Sequence, residues 1–143
     1  MAVEISDHVT DEAAGQIRHW LHDLNRQVAG DDGHALLRLC ATEGGRLVGG
    51  LLGGTFWGYL YVDILVVDEA HRGRGTGTRL LAEAERIARQ RGCRHATLHT
   101  HDFQALGFYQ KKGYAVVGEL PDLPPGHVRY ELYKRLAPAP DSG

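Results

Sequence analysis

A glycine-rich turn between an apolar segment and an amphipathic segment constrains the fold of this chain more than any other feature. Residues 59–67 are β-branched, aromatic or aliphatic except for Asp63, a composition typical of a central strand. Residues 71–78, with the sequence His-Arg-Gly-Arg-Gly-Thr-Gly-Thr, supply the turn. Apolar side chains then recur with helical spacing: Leu80, Leu81, Ala84, Ile87 and Ala88. The pattern predicts a strand, a glycine turn and a helix in direct succession.

This turn has the chemistry of a phosphate site. The first N–H groups of a helix lack intrahelical partners and lie at the positive end of the helix dipole, and glycines let an anion approach them. Arginines around such a helix start each cost roughly 0.3–1 kcal/mol unless an anion is present. The candidate cradle comprises Arg72, Gly73, Arg74, Gly75, Thr76, Gly77 and Thr78, with Arg79 following. A glycine connection without a ligand remains the alternative.

Two other glycine-rich motifs also bind phosphate at a helix start, but the sequence of this turn matches neither of them. The dinucleotide fingerprint G-x-G-x-x-G lacks its third glycine here, because Gly73, Gly75 and Gly77 are spaced by two. A P-loop has Lys directly after its last glycine, whereas Thr78 follows Gly77. The sequence therefore predicts a pyrophosphate cradle of a different kind.

The N-terminal half of the chain begins with a strand-like segment. A helix then starts after Thr10, keeps apolar side chains at helical spacing as far as Val28, and ends at Gly30. The pair Gly44 and Gly45 predicts a hairpin between two antiparallel strands. These signals place a strand, a helix and a hairpin before the central strand.

The C-terminal half continues the alternation. A strand at residues 95–100 precedes a helix over 103–112, which Asp102 is expected to cap, and strands at 114–119 and 128–135 follow. The order is β-α-β-β-β-α-β-α-β-β. The expected fold class is α/β, a mixed sheet with helices on its faces.

Length and composition indicate one globular domain. The chain has 143 residues, of which 43% are hydrophobic and 24% charged, and no internal repeat or linker interrupts it. We expect a single domain over residues 1–136 and a flexible tail at 137–143. The oligomeric state stays open, with a homodimer as one alternative.

The net charge and the cysteines limit which ligands and which cellular compartment are expected. A net charge of −2 without a basic cluster argues against nucleic acid and anionic membranes as ligands. Residues 47–67 are long enough to span a bilayer, but five glycines interrupt them, so two strands joined near Gly58 are expected. Cys40 and Cys93 form no disulfide framework, and the start resembles no secretory signal, which together indicate a cytoplasmic protein.

Two segments resemble the signatures of the GNAT superfamily of N-acetyltransferases. Arg72-x-x-Gly75-x-Gly77 resembles the first, and residues 105–114, Ala-Leu-Gly-Phe-Tyr-Gln-Lys-Lys-Gly-Tyr, resemble the second. The match covers residues 59–114. The resemblance implies a central mixed sheet of six to seven strands whose fourth and fifth strands splay apart to admit the pantetheine arm of acetyl-CoA.

The resemblance also implies site residues and a reaction. Backbone N–H groups of Leu65, Val66 and Val67 would hold the pantetheine and polarise the thioester, and Tyr109 would protonate the departing thiolate. The implied reaction is direct transfer of acetyl from acetyl-CoA to a primary amine of an antibiotic, a polyamine or a metabolite. Alternatives are a protein or peptide N-acetyltransferase and a non-catalytic CoA-sensing module. The family often has Asn at the position of Asp102.

The remaining candidates concern the acceptor. Asp63 is expected to reach the amine directly or through water, with burial raising the pKa of its carboxyl, and an ordinary strand aspartate is the alternative. Tyr109 has its own alternative as a core aromatic. The strand histidines His95, His99 and His101 stand in a line, so no metal site is expected, although His99 or His101 could assist proton transfer. The acceptor pocket is expected between the loop at 121–127 and the turn at 56–59.

Overall fold

The computed structural model describes residues 2–138, which form three α-helices, one short 3-10 helix (Glu69–His71) and six strands. The helices are α1 (Asp11–Ala29), α2 (Thr76–Gln90) and α3 (Leu106–Lys111). The strands are β1 (Ala35–Glu43), β2 (Arg46–Phe56), β3 (Tyr59–Val67), β4 (His95–His101), β5 (Ala115–Pro121) and β6 (Val128–Arg135). The chain divides into two compact units between Asp32 and Gly33. No helix within residues 2–138 is both long and apolar enough to cross a membrane.

The first unit consists of α1 and the segment before it. The helix begins as predicted, because the Thr10 hydroxyl accepts the Ala13 N–H at 3.0 Å, and it ends at Gly30 with φ of 76°. The predicted strand before it is wrong. Residues 2–10 form no strand, and Val3 and Ile5 are exposed. Alternating apolar residues form a strand only when a neighbouring strand pairs with them.

The second unit contains one mixed sheet with strand order β1-β2-β3-β4-β6-β5. The β3–β4 pair is parallel and the other pairs are antiparallel. Both predicted β-turns are present. Gly44 and Gly45 join β1 to β2 with positive φ angles, and Trp57 and Gly58, with φ of 46° and 77°, join β2 to β3. The sheet therefore has six strands, within the predicted six to seven.

The split predicted between the central strands lies between β3 and β4. Tyr59 to Val62 pair with His95 to Leu98, and no pairing continues beyond Leu98. On the other edge of β3, Leu52 pairs with Ile64 and Gly53 with Val62, so Asp63 is an extra, bulged residue. Gly53 must be glycine, because a Cβ there would collide with the Tyr61 carbonyl oxygen. The pairing of β3 with β4 ends at Val62, directly before this bulged residue.

A buried apolar cluster holds α2 against the sheet. The helix supplies Leu80, Leu81, Ala84 and Ala88, and the strands supply Leu37, Leu51, Leu60, Leu98 and Leu132. The core extends to Leu136, which is 1% exposed and whose N–H donates to the Arg94 carbonyl. Of the predicted tail, residues 137 and 138 lie outside regular structure and residues 139–143 lie outside the described residues. The single domain over 1–136 stays a prediction.

The cap predicted for α3 is wrong. This helix starts only at Leu106, after Ala105, and no side chain caps it. The carboxylate of Asp102 instead accepts hydrogen bonds from the His127 Nδ1, at 2.9 Å, and from the Val128 N–H, at 3.1 Å. Asp102 thereby joins the end of β4 to the start of β6, a contact between residues distant in sequence.

Candidate active site

A cavity of about 1030 Å³ opens where β3 and β4 separate. The second half of β3, the glycine turn, the start of α2, the end of β4 and the segment leading into α3 form its walls. It brings together the predicted residues Asp63, Leu65, Val66, Val67, Arg72, Gly73, Gly75, Thr76, Gly77, Thr78 and Tyr109. Arg74 is the predicted residue that it leaves out. Residues distant in sequence thus share one pocket.

The anion end of the cavity is the start of α2. Gly75 precedes the helix with a left-handed backbone, φ of 81°, and no side chain caps the first turn. That turn also has no acidic residue. The first N–H groups of α2 therefore have no capping side chain within residues 2–138, and this turn lines the cavity beside Gly73, whose φ is 79°. This geometry fits a pyrophosphate.

The arginines around that helix start are arranged differently from one another. Arg72 lines the cavity, and its Nε donates to the Val67 carbonyl at 3.0 Å. Arg74 turns to Glu43, with an ion-pair distance of 3.6 Å. Arg79 lines a separate cavity of about 420 Å³ between β1 and α2. Arg72 is the arginine of the three whose side chain lines the main cavity.

A second wall of the cavity is the edge of β3 that faces β4, at Leu65 to Val67. Leu65, Val66 and Val67 pair with β2 on one side, and no strand pairs with them on the β4 side, because the parallel pairing stops at Val62; the Val67 carbonyl accepts the Arg72 Nε. Unpaired backbone donors on a strand edge can bind an extended amide-containing chain as a further strand would. The role predicted for these residues stays a prediction.

Tyr109 lies at the inner wall, on α3. Its side chain is 6% exposed and contacts the rings of Phe108 and Tyr114 edge to face. Burial raises the pKa of its phenol, so the hydroxyl is protonated throughout the neutral range. A buried network lies behind it, in which Tyr114 donates to Glu85 at 2.9 Å and Glu85 accepts from Lys134 at 2.8 Å.

Asp63 and His99 line the cavity at the point where β3 and β4 separate. The expected burial of Asp63 is wrong: the bulge exposes its side chain to solvent at the mouth of the split. His99 follows Leu98, the last residue of β4 that pairs with β3, and is half-buried in the cavity wall. Its Nδ1 is the one buried side-chain polar atom within residues 2–138 that has no hydrogen-bond partner.

The sequence comparison assigns the family. Residues 4–114 match the acetyltransferase (GNAT) family. This chain belongs to the GNAT family. It is 48% identical over 95 residues to the blasticidin-S acetyltransferase of Streptomyces morookaense, covering 66% of this chain and 70% of that protein. It is 37% identical over 133 residues to an acetyltransferase of Agrobacterium fabrum, covering 92% and 97%.

The structural comparison agrees. The crystal structure of an acetyltransferase from Bacillus cereus has a TM-score of 0.88 and 31% sequence identity, covering 93% of this chain and 98% of that one. The chain is therefore an acyltransferase of the N-acetyltransferase type, and GNAT enzymes use acetyl-CoA as the acetyl donor.

Part of the predicted acceptor pocket of this GNAT protein is wrong. The turn at 56–59 contributes nothing to the cavity wall, and Tyr59 stacks on His95 at the opposite, paired end of β3. His127, at the end of the predicted loop, contacts Phe103 at a ring distance of 4.9 Å. Since Phe103 lines the cavity, only the C-terminal end of that loop is connected to it.

Sequence reasoning missed several cavity residues. Thr100, Phe103, Gln104, Ala105 and Phe108 line it, although only the last two were in a recognised motif. Gln104 holds the end of β4 in place, because its Oε1 accepts the His101 N–H at 2.9 Å. A signal was available in the polar and aromatic residues between strand and helix, a usual location for ligand contacts.

A metal site is not evident in the part of the chain that the structure describes. Within residues 2–138, no three His, Cys, Asp or Glu side chains gather closely enough to hold an ion. The β4 histidines contact different partners: His95 contacts Tyr133, and His101 contacts Gln104 and Phe103.

Proposed function

We propose that this chain transfers the acetyl group of acetyl-CoA to a primary amine of a small molecule, and that an antibiotic of the blasticidin S kind is its acceptor. The observation that carries the proposal is the meeting, in one cavity, of an uncapped helix start and an unpaired strand edge. Together they match the anionic and the amide-rich parts of CoA. The cavity volume of about 1030 Å³ suits a ligand of that size.

The donor side works through backbone groups. The N–H groups at the start of α2 bind the pyrophosphate, and the edge of β3 at Leu65 to Val67 aligns the pantetheine and polarises the thioester carbonyl. Tyr109 gives its proton to the CoA sulfur as the carbon–sulfur bond breaks. Its buried, protonated phenol supports this role.

The proposed acceptor depends on one named relative and on the carboxylate of Asp63. The Streptomyces morookaense relative is named for blasticidin S and is 48% identical over 95 residues. Asp63, exposed at the mouth of the split, offers a carboxylate to the ammonium form of an incoming amine. Because both cysteines are free, we place the reaction in the reducing cytoplasm.

Acetyl-CoA binding is tested with two substitutions at one position. Gly77→Ala is tolerated, since its Cβ meets the Phe108 ring at an ordinary 3.6 Å. Gly77→Asp places a carboxylate in the first turn of α2, where it stabilises the free helix and repels phosphate. Acetyl-CoA at 100 times its Kd should stabilise wild type by about 2.7 kcal/mol, and Gly77→Asp should lose that shift without a lower Tm of its own. An unshifted wild type would refute the assignment.

The acceptor is tested by mass spectrometry of reactions with acetyl-CoA and three amines: blasticidin S, spermidine and a lysine-containing peptide. We expect one acetyl group on blasticidin S and much slower reaction of the other two. Preferential acetylation of the peptide would instead identify a protein N-acetyltransferase, and preference for spermidine would identify a polyamine acceptor.

A further inference from the structure

Two histidines on β4 have opposite environments. His95 and His99 are four residues apart on one strand, so their side chains lie on the same face of the sheet. His95 Nδ1 is 2.6 Å from the Tyr133 hydroxyl, and its ring stacks on Tyr59 at 4.7 Å. His99 has an unpartnered Nδ1. A buried polar atom without a partner costs roughly 1–3 kcal/mol, which is tolerated most readily where function requires it.

The position of His99 is set by the split. Val62 and Leu98 are the last residues paired between β3 and β4. Asp63 and His99 come next on the two strands, so both lie at the point where the strands part, and both line the cavity. The edge of β3 at Leu65 to Val67, where the proposed function puts the thioester, and Tyr109 line the same cavity as these two residues.

The charges around His99 decide its protonation. Desolvation and the Arg129 guanidinium lower the pKa of its imidazole, His101 adds to that effect, and the carboxylates of Glu131 and Asp63 oppose it. The net pKa lies below the ordinary value of about 6.5. The ring is therefore neutral at neutral pH and can accept a proton.

We propose that His99 is a catalytic residue that takes the proton lost by the acceptor amine, while Asp63 holds the ammonium beside it. This inference rests on the proposed function. The ammonium R–NH₃⁺ first loses one proton to the exposed side of the His99 ring. The amine nitrogen then bonds to the acetyl carbon, the carbon–sulfur bond breaks, and the sulfur takes the Tyr109 proton. The amide nitrogen sheds its second proton to Tyr109 through solvent, and His99 releases its proton to bulk water.

The buried Nδ1 explains why such a base suits this site. Because the exposed Nε2 takes the proton, the neutral ring carries its hydrogen on the buried Nδ1, which finds no acceptor; the imidazolium keeps that unpartnered N–H and adds a charge in a desolvated site, so it passes its proton on readily. The nearby carboxylates of Asp63 and Glu131 limit this penalty. His99 is thus neutral before the reaction and short-lived as a cation, which a general base at neutral pH requires.

The test compares wild type, His99→Gln and the matched control His95→Gln over about pH 5 to 9. Blasticidin S, spermidine and the lysine-containing peptide serve as acceptors. We expect kcat/KM of wild type to fall towards acid pH as His99 becomes charged. His99→Gln should lose about 10²-fold or more at neutral pH and should lose the acidic limb, with an unchanged Kd for acetyl-CoA. His95→Gln should keep both the wild-type rate at neutral pH and the fall of kcat/KM towards acid pH.

An NMR titration of the histidine rings in the full chain gives a readout that is independent of activity. The His99 signal, assigned by its loss in His99→Gln, should titrate below about pH 6.5. A ring charged at neutral pH overturns the inference, as does a His99→Gln profile parallel to wild type or an equal loss in His95→Gln. Those results leave the proposed function intact. A wild type that acetylates none of the three amines overturns the proposed function and this inference with it.

Discussion

The strands β3 and β4 pair with each other along one half of their length and separate along the other half. In the paired half, Tyr59 to Val62 hydrogen-bond to β4, Leu60 is fully buried, and His95 contacts Tyr59 and Tyr133. In the split half, β3 and β4 do not pair with each other, and the side chains of Asp63, Ile64 and Val66 are exposed. A single bulge at Asp63 separates a region that stabilises the sheet from one that can bind a ligand.

This contrast teaches that stability and chemistry can be altered separately. Substitutions in the paired half should change the free energy of unfolding and leave acetyl transfer intact. Substitutions in the split half should do the reverse, since exposed or cavity-lining side chains contribute little to the core.

The largest effect is expected from Tyr109→Phe, on α3 in the wall of the cavity at the split half. The ring still fills its place, but the proton donor is lost, so the single-turnover rate should fall 10²–10⁴-fold, about 3–5 kcal/mol of transition-state stabilisation. Acetyl-CoA affinity should not change. Because burial raises the pKa of Tyr109, wild type should show no alkaline loss from its ionisation below about pH 10.

The matched control is Tyr59→Phe, which removes a hydroxyl from the paired half, outside the cavity. It should turn over at the wild-type rate. A wild-type single-turnover rate in Tyr109→Phe would mean that Tyr109 is a packing residue and that another donor protonates the sulfur.

The next largest effect is expected from Leu60→Ala, in the paired half. Leu60 is 0% exposed, and the cavity left by its truncation should lower the free energy of unfolding by about 3 kcal/mol, as measured by urea titration. Val66→Ala, at a side chain 54% exposed, should cost under about 1 kcal/mol. Equal losses in the two variants would break the comparison between the halves.

A smaller effect is expected from Asp63→Asn. Loss of the carboxylate should raise the KM for the amine about tenfold, or ~1.4 kcal/mol, with little change in acetyl-CoA affinity. Because the charge of Asp63 raises the pKa of His99, its removal should also move the acidic limb of the rate profile to lower pH. An unchanged KM and an unmoved limb would remove Asp63 from the acceptor site.

The smallest effect is expected from His95→Gln. The contact to the Tyr133 hydroxyl and the stacking on Tyr59 are lost, so the free energy of unfolding should fall by about 1 kcal/mol. Calorimetric unfolding without ligand measures this, and the pH profile of the rate should match wild type. A shifted profile would place His95 in electrostatic contact with the reaction.

Several elements of this protein follow from local sequence. Thr10 and Gly30 delimit α1, the Gly44 and Gly45 pair forms the first hairpin, and the glycine turn starts α2. Each depends on backbone conformations and hydrogen bonds within a few residues, so the sequence of those residues is sufficient to predict it. The resemblance to the GNAT signatures also predicted the split between β3 and β4 and most of the cavity wall.

Other features depended on contacts between residues far apart in the chain. The start of the chain forms no strand, although its local pattern resembles one, and Asp102 bonds to His127 rather than capping α3. Arg74 and Arg79 were predicted beside the phosphate cradle, but Arg74 pairs with Glu43 and Arg79 lies at another cavity. Long charged side chains choose among several partners, and only the assembled fold determines which are within reach.

Local sequence is sufficient to predict a strand, a glycine turn and a helix suited to phosphate, with Tyr109 in a second motif. The exposure of Asp63 and the different partners of His95 and His99 follow instead from the assembled sheet. The reason is physical. Backbone dihedrals and helix dipoles are local properties, whereas burial and hydrogen-bond satisfaction depend on which strands become neighbours and where they separate.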